Sequence, residues 1–396
     1  MRNKKFHILI MLMMAALHSK GATISENISS GVLTFSETTA WGDKIEISFC
    51  KCMANELYTF YNVKLNDNEV NSAKYSDNIG PFLVNGTWIG GNHTLGDTKT
   101  ARTTNHLIKV DGEIMSENFT TTGQVLSIEV ENELIYKDGE KFATETISYN
   151  VSGNSIQVEC KHRYEHPDNL NIDCYYGMQS MFKNETEILL PGSEYSGWIT
   201  LDNSAKEDII RLSKASAPNF SLFVERNDVG YQATYLLPSD LGDHHSISET
   251  DFIYIGNSSA KSYHKLIGNH PVSRGEETKW KGLYTWFSKA TTDNYHEDNL
   301  NGNFEYGAYI EGQPINIDIN SNGEITRTDA KLNDITIDPH ENGVTINGNT
   351  VTFHKHAMCI DLAGKTIYSG IGSFTCNPGL YIIRYHDGHK RKIIIR

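Results

Sequence analysis

Short stretches in which apolar and polar residues alternate dominate this chain, and runs with helical spacing are almost absent. Alternation with a period of two predicts β-strands that are buried on one face, because successive side chains of a strand point to opposite sides. The predicted strands of the longer, N-terminal part are Val32–Ser36, Lys44–Ser48, Leu57–Val63, Leu107–Val110, Leu126–Glu131, Thr146–Val151, Ser155–Tyr164, Leu170–Met178, Phe220–Arg226 and Tyr231–Leu236. The best helix candidate is the short stretch Ser204–Ser213.

Gly, Asn and Asp residues separate these strands at regular intervals. That pattern predicts an all-β chain in which residues 23–330 form a large antiparallel β-sandwich of the jelly-roll type. A linker is expected near Asn320–Asp338. Residues 331–396 are predicted to form a small C-terminal β-sandwich, whose strands are Gly343–Ile346, Thr350–Phe353, Ala357–Leu362, Leu380–Tyr385 and Lys390–Ile395.

The first 22 residues have the pattern of a secretory signal peptide. Arg2, Lys4 and Lys5 precede an apolar stretch, Phe6–Leu17, and small residues allow cleavage after Gly21 or Ala22. The apolar stretch is too short to span a bilayer, and no later segment is long and apolar enough to do so. We therefore expect a protein without a transmembrane helix in its mature chain, secreted or held on the outer cell surface after passing through the periplasm.

The charge balance narrows the class of partner. The 396 residues include 35 Lys and Arg against 49 Asp and Glu, a formal net charge of −14. This acidity argues against a nucleic-acid partner, since such proteins need a basic surface to displace counterions from phosphates. The motifs of serine esterases, zinc peptidases and nucleotide-binding loops are absent from the sequence.

Six cysteines follow the signal peptide, an even number that allows disulfides in an exported protein. A hairpin centred on Pro167 would place Cys160 and Cys174 directly opposite each other on paired strands. We therefore predict a Cys160–Cys174 disulfide. Cys359 and Cys376 are the next candidates for a pair, and the pairing of Cys50 and Cys52 stays open.

Three motifs near the C-terminus resemble a known family. They are an Asp-x-x-Gly-Lys turn that begins at Asp361, a Gly-x-Tyr strand that begins at Gly379, and a basic, aliphatic strand over Lys392–Arg396. In this order they resemble the C-terminal sorting domain of the Bacteroidetes type IX (Por) secretion system. The resemblance implies a Bacteroidetes source, export to the outer surface or the medium, and the secretion machinery as a partner.

The stretch from Val84 to Thr94 is the first candidate site. Gly90 and Gly91 permit a tight turn that would present Asn92 and His93 beside Trp88, and Arg102 follows downstream. An aromatic ring next to a histidine, an amide and a cation suits an acidic sugar. The alternative is a structural turn in which Trp88 belongs to the core.

The predicted Ser155–Met178 hairpin is the second candidate. His162, Tyr164 and Tyr176 would share one face of it, and Arg163 and Gln179 would lie on the other. A histidine base, a tyrosine acid and a polar group at the carboxylate are the parts that β-elimination from a uronic acid requires. The alternative is that these side chains only pack the sheet.

A third stretch, Asp318 to Asp329, has the residue order of a calcium loop. Asp318, Asn320, Asn322 and Asp329 would supply the oxygen ligands. The Asn322-Gly323 pair equally predicts a β-hairpin turn. Calcium is thus the one cofactor that the sequence suggests, and no cofactor is required by the proposed chemistry.

Together these features favour a secreted enzyme that degrades an acidic polysaccharide, most simply a polysaccharide lyase acting by β-elimination on a uronic-acid glycan. The candidate catalytic residues are His93, His162, Tyr164 and Tyr176; the candidate substrate-binding residues are Trp88, Asn92, Arg102, Arg163 and Gln179. A non-catalytic glycan-binding or adhesion protein and a glycoside hydrolase remain as alternatives, because fold class does not fix function.

Overall fold

The computed structural model describes residues 21–27, 29–72, 77–183, 187–193, 195, 197–200, 209–212, 221–237, 253–256, 261–295, 302–329, 344–347, 350–361, 365–377, 379–385 and 390–395. The predicted signal peptide up to Lys20 lies outside these residues, as does most of the predicted helix Ser204–Ser213. The part of that helix that is described, Ile209–Leu212, forms a β-strand instead.

The regular elements are β-strands, numbered here in chain order. The first eleven are β1 (Ala22–Asn27), β2 (Val32–Thr38), β3 (Lys44–Cys52), β4 (Leu57–Leu65), β5 (Asn68–Ser72), β6 (Phe82–Val84), β7 (Thr87–Ile89), β8 (Thr94–Leu95), β9 (Thr98–Lys99), β10 (Ala101–Val110) and β11 (Glu113–Ile114). The next eleven are β12 (Thr120–Gly123), β13 (Leu126–Ile135), β14 (Lys141–Ser152), β15 (Ser155–Tyr164), β16 (Leu170–Ser180), β17 (Glu187–Leu189), β18 (Trp198–Thr200), β19 (Ile209–Leu212), β20 (Leu222–Arg226), β21 (Tyr231–Leu236) and β22 (Ile253–Gly256). The last eleven are β23 (Lys261–Val272), β24 (Glu277–Phe287), β25 (Thr292–Asp293), β26 (Phe304–Ile310), β27 (Gln313–Ile319), β28 (Ile325–Asp329), β29 (Val344–Asn347), β30 (Thr350–Asp361), β31 (Thr366–Thr375), β32 (Gly379–Tyr385) and β33 (Lys390–Ile395).

The predicted all-β class is confirmed, since the described residues contain strands and no helix, and the strands pair antiparallel. No helix that could cross a membrane occurs among them either.

The described residues before Lys331 form four main sheets. The large sheet has ten strands in the order β11-β10-β13-β14-β15-β24-β21-β20-β17-β18. The first covering sheet has the order β12-β1-β2-β3-β4-β5, and the second covering sheet has the order β19-β22-β23-β16-β6-β7. A small sheet has the order β25-β26-β27-β28, and β8 and β9 form a separate two-stranded ribbon.

The main core lies between one face of the large sheet and both covering sheets. From the first covering sheet, Phe49 reaches Tyr149 of β14 with ring centroids 5.4 Å apart. From the second, Phe82 reaches Phe142 of the same strand at 5.5 Å. Burial of such large rings supplies most of the free energy that holds the three sheets together.

Strand β24 explains why a second core exists. Trp280, Tyr284 and Trp286 are fully buried in the main core, whereas Phe287 packs on the opposite side. There its ring stacks on Tyr306 of the small sheet, with centroids 4.8 Å apart. The small sheet therefore covers part of the reverse face of the large sheet, and β24 is buried on both faces from Gly282 to Phe287.

Residues from Lys331 to Arg396 form a separate compact unit. Its sheet has the order β29-β30-β32-β33, with β31 also pairing with β30. The predicted strands Thr350–Phe353 and Ala357–Leu362 are the two ends of the single strand β30, and β31 had no predicted counterpart. Its own small core contains Val351, Phe353, Ala357, Cys359, Cys376, Tyr381 and Ile383.

Candidate functional site

Four partly exposed rings form a continuous group, which we call the aromatic row: His93, Trp88, Tyr176 and Tyr263. The Trp88 ring is nearly parallel to His93, at 5.1 Å between centroids, and nearly parallel to Tyr176, at 5.8 Å. Tyr263 continues the row, 4.7 Å from Tyr176. The first candidate site of the sequence analysis thus provides Trp88 and His93, and strands β16 and β23 provide Tyr176 and Tyr263.

Strand pairing explains how the row is positioned. The β6–β7 hairpin pairs Trp88 with Leu83, and β6 in turn pairs with β16, which carries Tyr176. Strand β23 lies on the other side of β16 and pairs Tyr263 with Gln179. Trp88, Tyr176 and Tyr263 therefore come from strands of one sheet, where cross-strand neighbours meet, and the loop after β7 adds His93.

The Gly90-Gly91 turn needs glycine because there is little space between its backbone and the residues behind the row. Both residues have positive φ angles, 78° and 50°, which glycine adopts without strain. A Cβ atom on Gly91 would lie 2.4 Å from the Oδ1 atom of Asp77. The glycine therefore lets the loop that carries His93 close over a buried carboxyl group.

Asp77 is almost completely buried, and the backbone N–H of Asn92 donates a hydrogen bond to it. Its Oδ1 atom has no hydrogen-bond partner among the described residues. Burial raises the pKa of Asp77 to about 7, and the charge of Lys261 and the Asn92 N–H only partly oppose this rise. The carboxyl group therefore holds a proton over a wider pH range than an exposed aspartate does.

The charge of Lys261 acts on both His93 of the row and Asp77 behind it. Burial lowers the pKa of its amine, and the carboxylate of Asp77 opposes that change. Burial also lowers the pKa of His93, and the charge of Lys261 lowers it further. His93 is consequently a neutral imidazole at neutral pH, in reach of the electrostatic field of a lysine.

The second candidate site does not form as predicted. Strand β15 pairs with β14 and β24 in the large sheet, whereas β16 pairs with β6 and β23 in the second covering sheet. The predicted β15–β16 hairpin is therefore wrong, because the connection after Tyr164 carries the chain from one sheet to the facing one. Alternation along a strand shows which residues share a face, but it does not identify the partner strand.

His162 and Tyr164 lie in the main core, each 1% exposed. The Nε2 atom of His162 is 3.0 Å from Oε2 of Glu145, and the Tyr164 hydroxyl hydrogen-bonds with Oγ1 of Thr278 at 3.0 Å. Neither side chain is open to a polymer in solvent. Of the four candidate catalytic residues, only His93 and Tyr176 are brought together at the surface.

Register irregularities in β16 explain why the Tyr176 side chain lies on the exposed face of the sheet. The pairing with β23 shifts on both sides of this residue. Tyr175 is buried with its ring 5.1 Å from the His162 ring, and its neighbour Tyr176 faces outward. Gln179 is buried as well, where its amide donates to the backbone oxygen of Tyr176 at 3.4 Å.

The remaining predicted binding residues divide into two groups. Asn92 lies within the loop of the row, where its Oδ1 atom accepts a hydrogen bond from the N–H of Ala54 at 2.7 Å. Arg102 is exposed on β10 and donates to Glu133 at 2.6 Å, and Arg163 is exposed on β15. Neither arginine has a described contact with the aromatic row.

The predicted Cys160–Cys174 disulfide is contradicted, since all six cysteines are free thiols and these two belong to strands of different sheets. Cys50 hydrogen-bonds with Cys52, and Cys376 with Cys359. The Cys359–Cys376 disulfide, the next candidate from the sequence, is not formed either, and these two thiols are hydrogen-bonded instead.

The calcium-loop candidate forms a β-hairpin. Asp318 pairs with Thr326 and Asp329 pairs with Ile315 across the β27–β28 ladder. The Oδ1 atom of Asn320 accepts the N–H groups of Asn322 and Glu324 at 2.9 and 3.0 Å, so it is occupied by the turn itself. The hairpin alternative is therefore the one that the structure adopts, and calcium binding here stays a prediction.

Sequence reasoning missed Asp77, Lys261 and Tyr263. A signal for two of them exists, because Lys261, Tyr263 and Lys265 alternate with buried residues along β23 and so share its outer face. Their closeness to Trp88 could not be inferred without the order of strands in the sheet.

No protein-family model matches the chain, and no curated protein matches it. Several solved structures match at low similarity. The galactosidase domain of an alpha-galactosidase–sucrose kinase is 7% identical over 67% of this chain and 42% of that one, with a TM-score of 0.41. A GH36 alpha-galactosidase from Geobacillus stearothermophilus is 9% identical over 67% and 41%, at 0.40, and a Glycoside Hydrolase Family 97 enzyme from Pseudoalteromonas sp. strain K8 is 10% identical over 67% and 36%, at 0.38. The chain thus spans about two fifths of the length of these structures, and a likeness this weak does not assign a function.

Proposed function

We propose that this protein is a secreted, carbohydrate-active protein whose aromatic row binds a ring of a uronic-acid glycan. The observation that carries the proposal is the partly exposed, nearly parallel arrangement of Trp88 and Tyr176, next to His93, whose pKa is lowered in part by the charge of Lys261. An apolar aromatic ring is complementary to the C–H surface of a uronic acid, and a cation is complementary to its carboxylate.

The row is suited to binding because its parts are held in place before a ligand arrives. Trp88 is fixed by the β6–β7 ladder and by the rings on either side of it in the row. A rigid aromatic side chain loses little conformational entropy on binding, so more of its contact energy appears as affinity. The carboxylate of the sugar would meet Lys261 in a partly desolvated setting, where a charge-assisted hydrogen bond is strong.

Cleavage by β-elimination is the finer proposal, and one observation favours it. His93 has a lowered pKa and is therefore able to accept a proton at neutral pH. It stacks on Trp88, so a sugar bound on the row would lie near the imidazole, with Tyr176 as the candidate acid on the same row. His162 and Tyr164 have no part in this proposal because they are buried.

Binding is tested by titrating the purified mature protein with polygalacturonate and alginate, and with a neutral glucan as the reference. Replacing Trp88→Ala should weaken binding to the acidic polymers by about 30-fold, since truncating a central tryptophan commonly removes about 2 kcal/mol or more. Trp41→Ala is the matched control, because Trp41 is also exposed but packs against Tyr309. Lys261→Gln should weaken binding to acidic polymers only, and the wild-type affinity should fall with added salt.

Cleavage is tested by the ultraviolet absorbance of the C4–C5 double bond that β-elimination creates. We expect absorbance to rise with at least one acidic polymer and the rise to vanish in His93→Ala. Binding without new absorbance and without new reducing ends would identify a glycan-binding protein, and reducing ends alone would identify a hydrolase. Equal affinities of the wild type and Trp88→Ala would exclude the row as the binding site.

A further inference from the structure

Three buried side chains with metal-binding atoms meet on the inner face of the large sheet. Glu145 of β14 and His162 of β15 are paired directly across the ladder, and Cys160 lies two residues from His162 on the same face. The Nε2 atom of His162 is 3.0 Å from Oε2 of Glu145 and 3.5 Å from Sγ of Cys160. One ligand atom from each residue lies within 4.8 Å of the other two.

A second layer of side chains orients this cluster. Thr278 on β24 is paired with His162, and its Oγ1 atom is 3.4 Å from Nδ1 of the imidazole. A proton on Nδ1 that is donated to Thr278 leaves the lone pair of Nε2 facing the carboxylate and the sulfur. On the other side, the amide of Asn132 donates to Oε1 of Glu145 at 2.9 Å, which fixes the carboxylate. Metal-binding histidines and carboxylates typically have such outer partners.

The chemistry of the three groups favours a cation between them. In that tautomer a carboxylate oxygen, a ring nitrogen and a sulfur present lone pairs to one another in an interior that is shielded from water. A zinc ion with a nitrogen ligand at about 2.0–2.1 Å and a sulfur ligand at about 2.3 Å, in tetrahedral geometry, separates those two ligand atoms by roughly 3.5 Å. The separation of His162 Nε2 and Cys160 Sγ agrees with that spacing.

We propose that Glu145, Cys160 and His162 bind one zinc ion in a structural site inside the main core. A small cavity with room for about one water is lined by Glu145 and Asn132 but not by Cys160 or His162, so a water that completes the tetrahedron would approach the ion from the carboxylate side. Binding involves no redox step: the Cys160 thiol becomes a zinc-bound thiolate and its proton passes to solvent. The ion would join β14 to β15, and this site is independent of the function proposed for the aromatic row.

The test is the zinc content of the tag-free, full mature chain, purified under reducing conditions from a zinc-supplemented culture. The background carries Cys50→Ser and Cys52→Ser, because that half-buried thiol pair would otherwise retain metal of its own. We expect about one zinc per chain in this background and in the matched control Cys174→Ser, and at least about tenfold less in Cys160→Ser. Cobalt in place of zinc should give a thiolate-to-cobalt charge-transfer band that Cys160→Ser lacks.

Two further measurements keep the proposal testable if Cys160→Ser does not fold. Thr278→Val retains all three ligands and should weaken zinc affinity by about 10- to 100-fold, as loss of an outer partner does. A chelator should lower the unfolding temperature of the wild type, and added zinc should restore it. Equal zinc in Cys160→Ser and Cys174→Ser, or a wild type that holds no zinc and whose unfolding temperature ignores zinc, would overturn the proposal.

Discussion

At the scale of single residues, Asp77 has an unusual position because its carboxyl group is buried behind the Gly90-Gly91 turn. Burial raises its pKa from the ordinary value of 3.8 to about 7. The native state therefore binds this proton more tightly than the unfolded chain does. By linkage, the free energy of unfolding falls as the pH rises from about 4 to about 7, and above that range this contribution stays constant.

Asp77→Asn should remove that part of the pH dependence. At pH values above about 7 the variant should be more stable than the wild type, by up to roughly 4 kcal/mol, because an amide has no charge to desolvate. Near pH 4 the two should be equally stable. Urea unfolding across this pH range measures the difference, and Asp67→Asn makes the same charge change at an exposed position. Parallel pH profiles for the wild type and Asp77→Asn would contradict the assignment.

At the scale of elements, a buried polar network connects the large sheet with both covering sheets. Gln232 of β21 donates to Oγ of Ser180 on β16 at 2.6 Å. Its own Oε1 atom accepts from Nε1 of Trp286 at 2.7 Å and from the amide of Asn71 at 3.2 Å. Because these groups are buried, each depends on the others for its hydrogen bond, and the network fixes how the large sheet lies against both covering sheets.

Gln232→Leu should therefore cost about 2 kcal/mol or more of unfolding free energy, since it leaves the indole N–H and a buried amide without their acceptor. Gln157→Leu is the control: this residue is also on the large sheet, but its Oε1 atom has no hydrogen-bond partner in the part of the chain that the structure describes. Urea unfolding at constant pH is the measurement. A loss no greater than that of Gln157→Leu would mean that the network adds no net stability.

Elements also show what the sequence could and could not predict. Strands β15 and β21 have the predicted bounds, because alternation and turn residues are local signals. The predicted pairing of β15 with β16 was wrong. Its neighbour in the sheet is β24, which lies far along the chain. In the same way, Trp88 and His93 could be predicted as site residues from a local turn. The closeness of Lys261 and Asp77 to them depends on the tertiary fold, which the local pattern does not show. The short stretch predicted as a helix contains adjacent isoleucines, which suit a strand equally well.

At the scale of the whole molecule, the chain has two units, each with its own buried core. Deletion of residues 331–396 should leave the unfolding temperature of the remaining unit within a few degrees of the full chain, as calorimetry would show. If the C-terminal unit is the sorting domain that its motifs resemble, the truncated protein should also stay in the periplasm of a Bacteroidetes host. Secretion of the truncated protein at the level of the full chain would contradict this role.

The pairing of β15 with β24 has a consequence for the timing of folding. Ser155 and Thr285, which hydrogen-bond across this ladder, are 130 residues apart in the chain. Closing so long a loop lowers the chain entropy before the contacts between the two strands can form. Structures built from such distant pairs therefore form slowly. Before β24 pairs with β15 and β21, that edge of β15 has no partner, and the strands on either side of β24 form two separate groups. A nascent chain that ends before Glu277, where β24 begins, therefore has no complete large sheet.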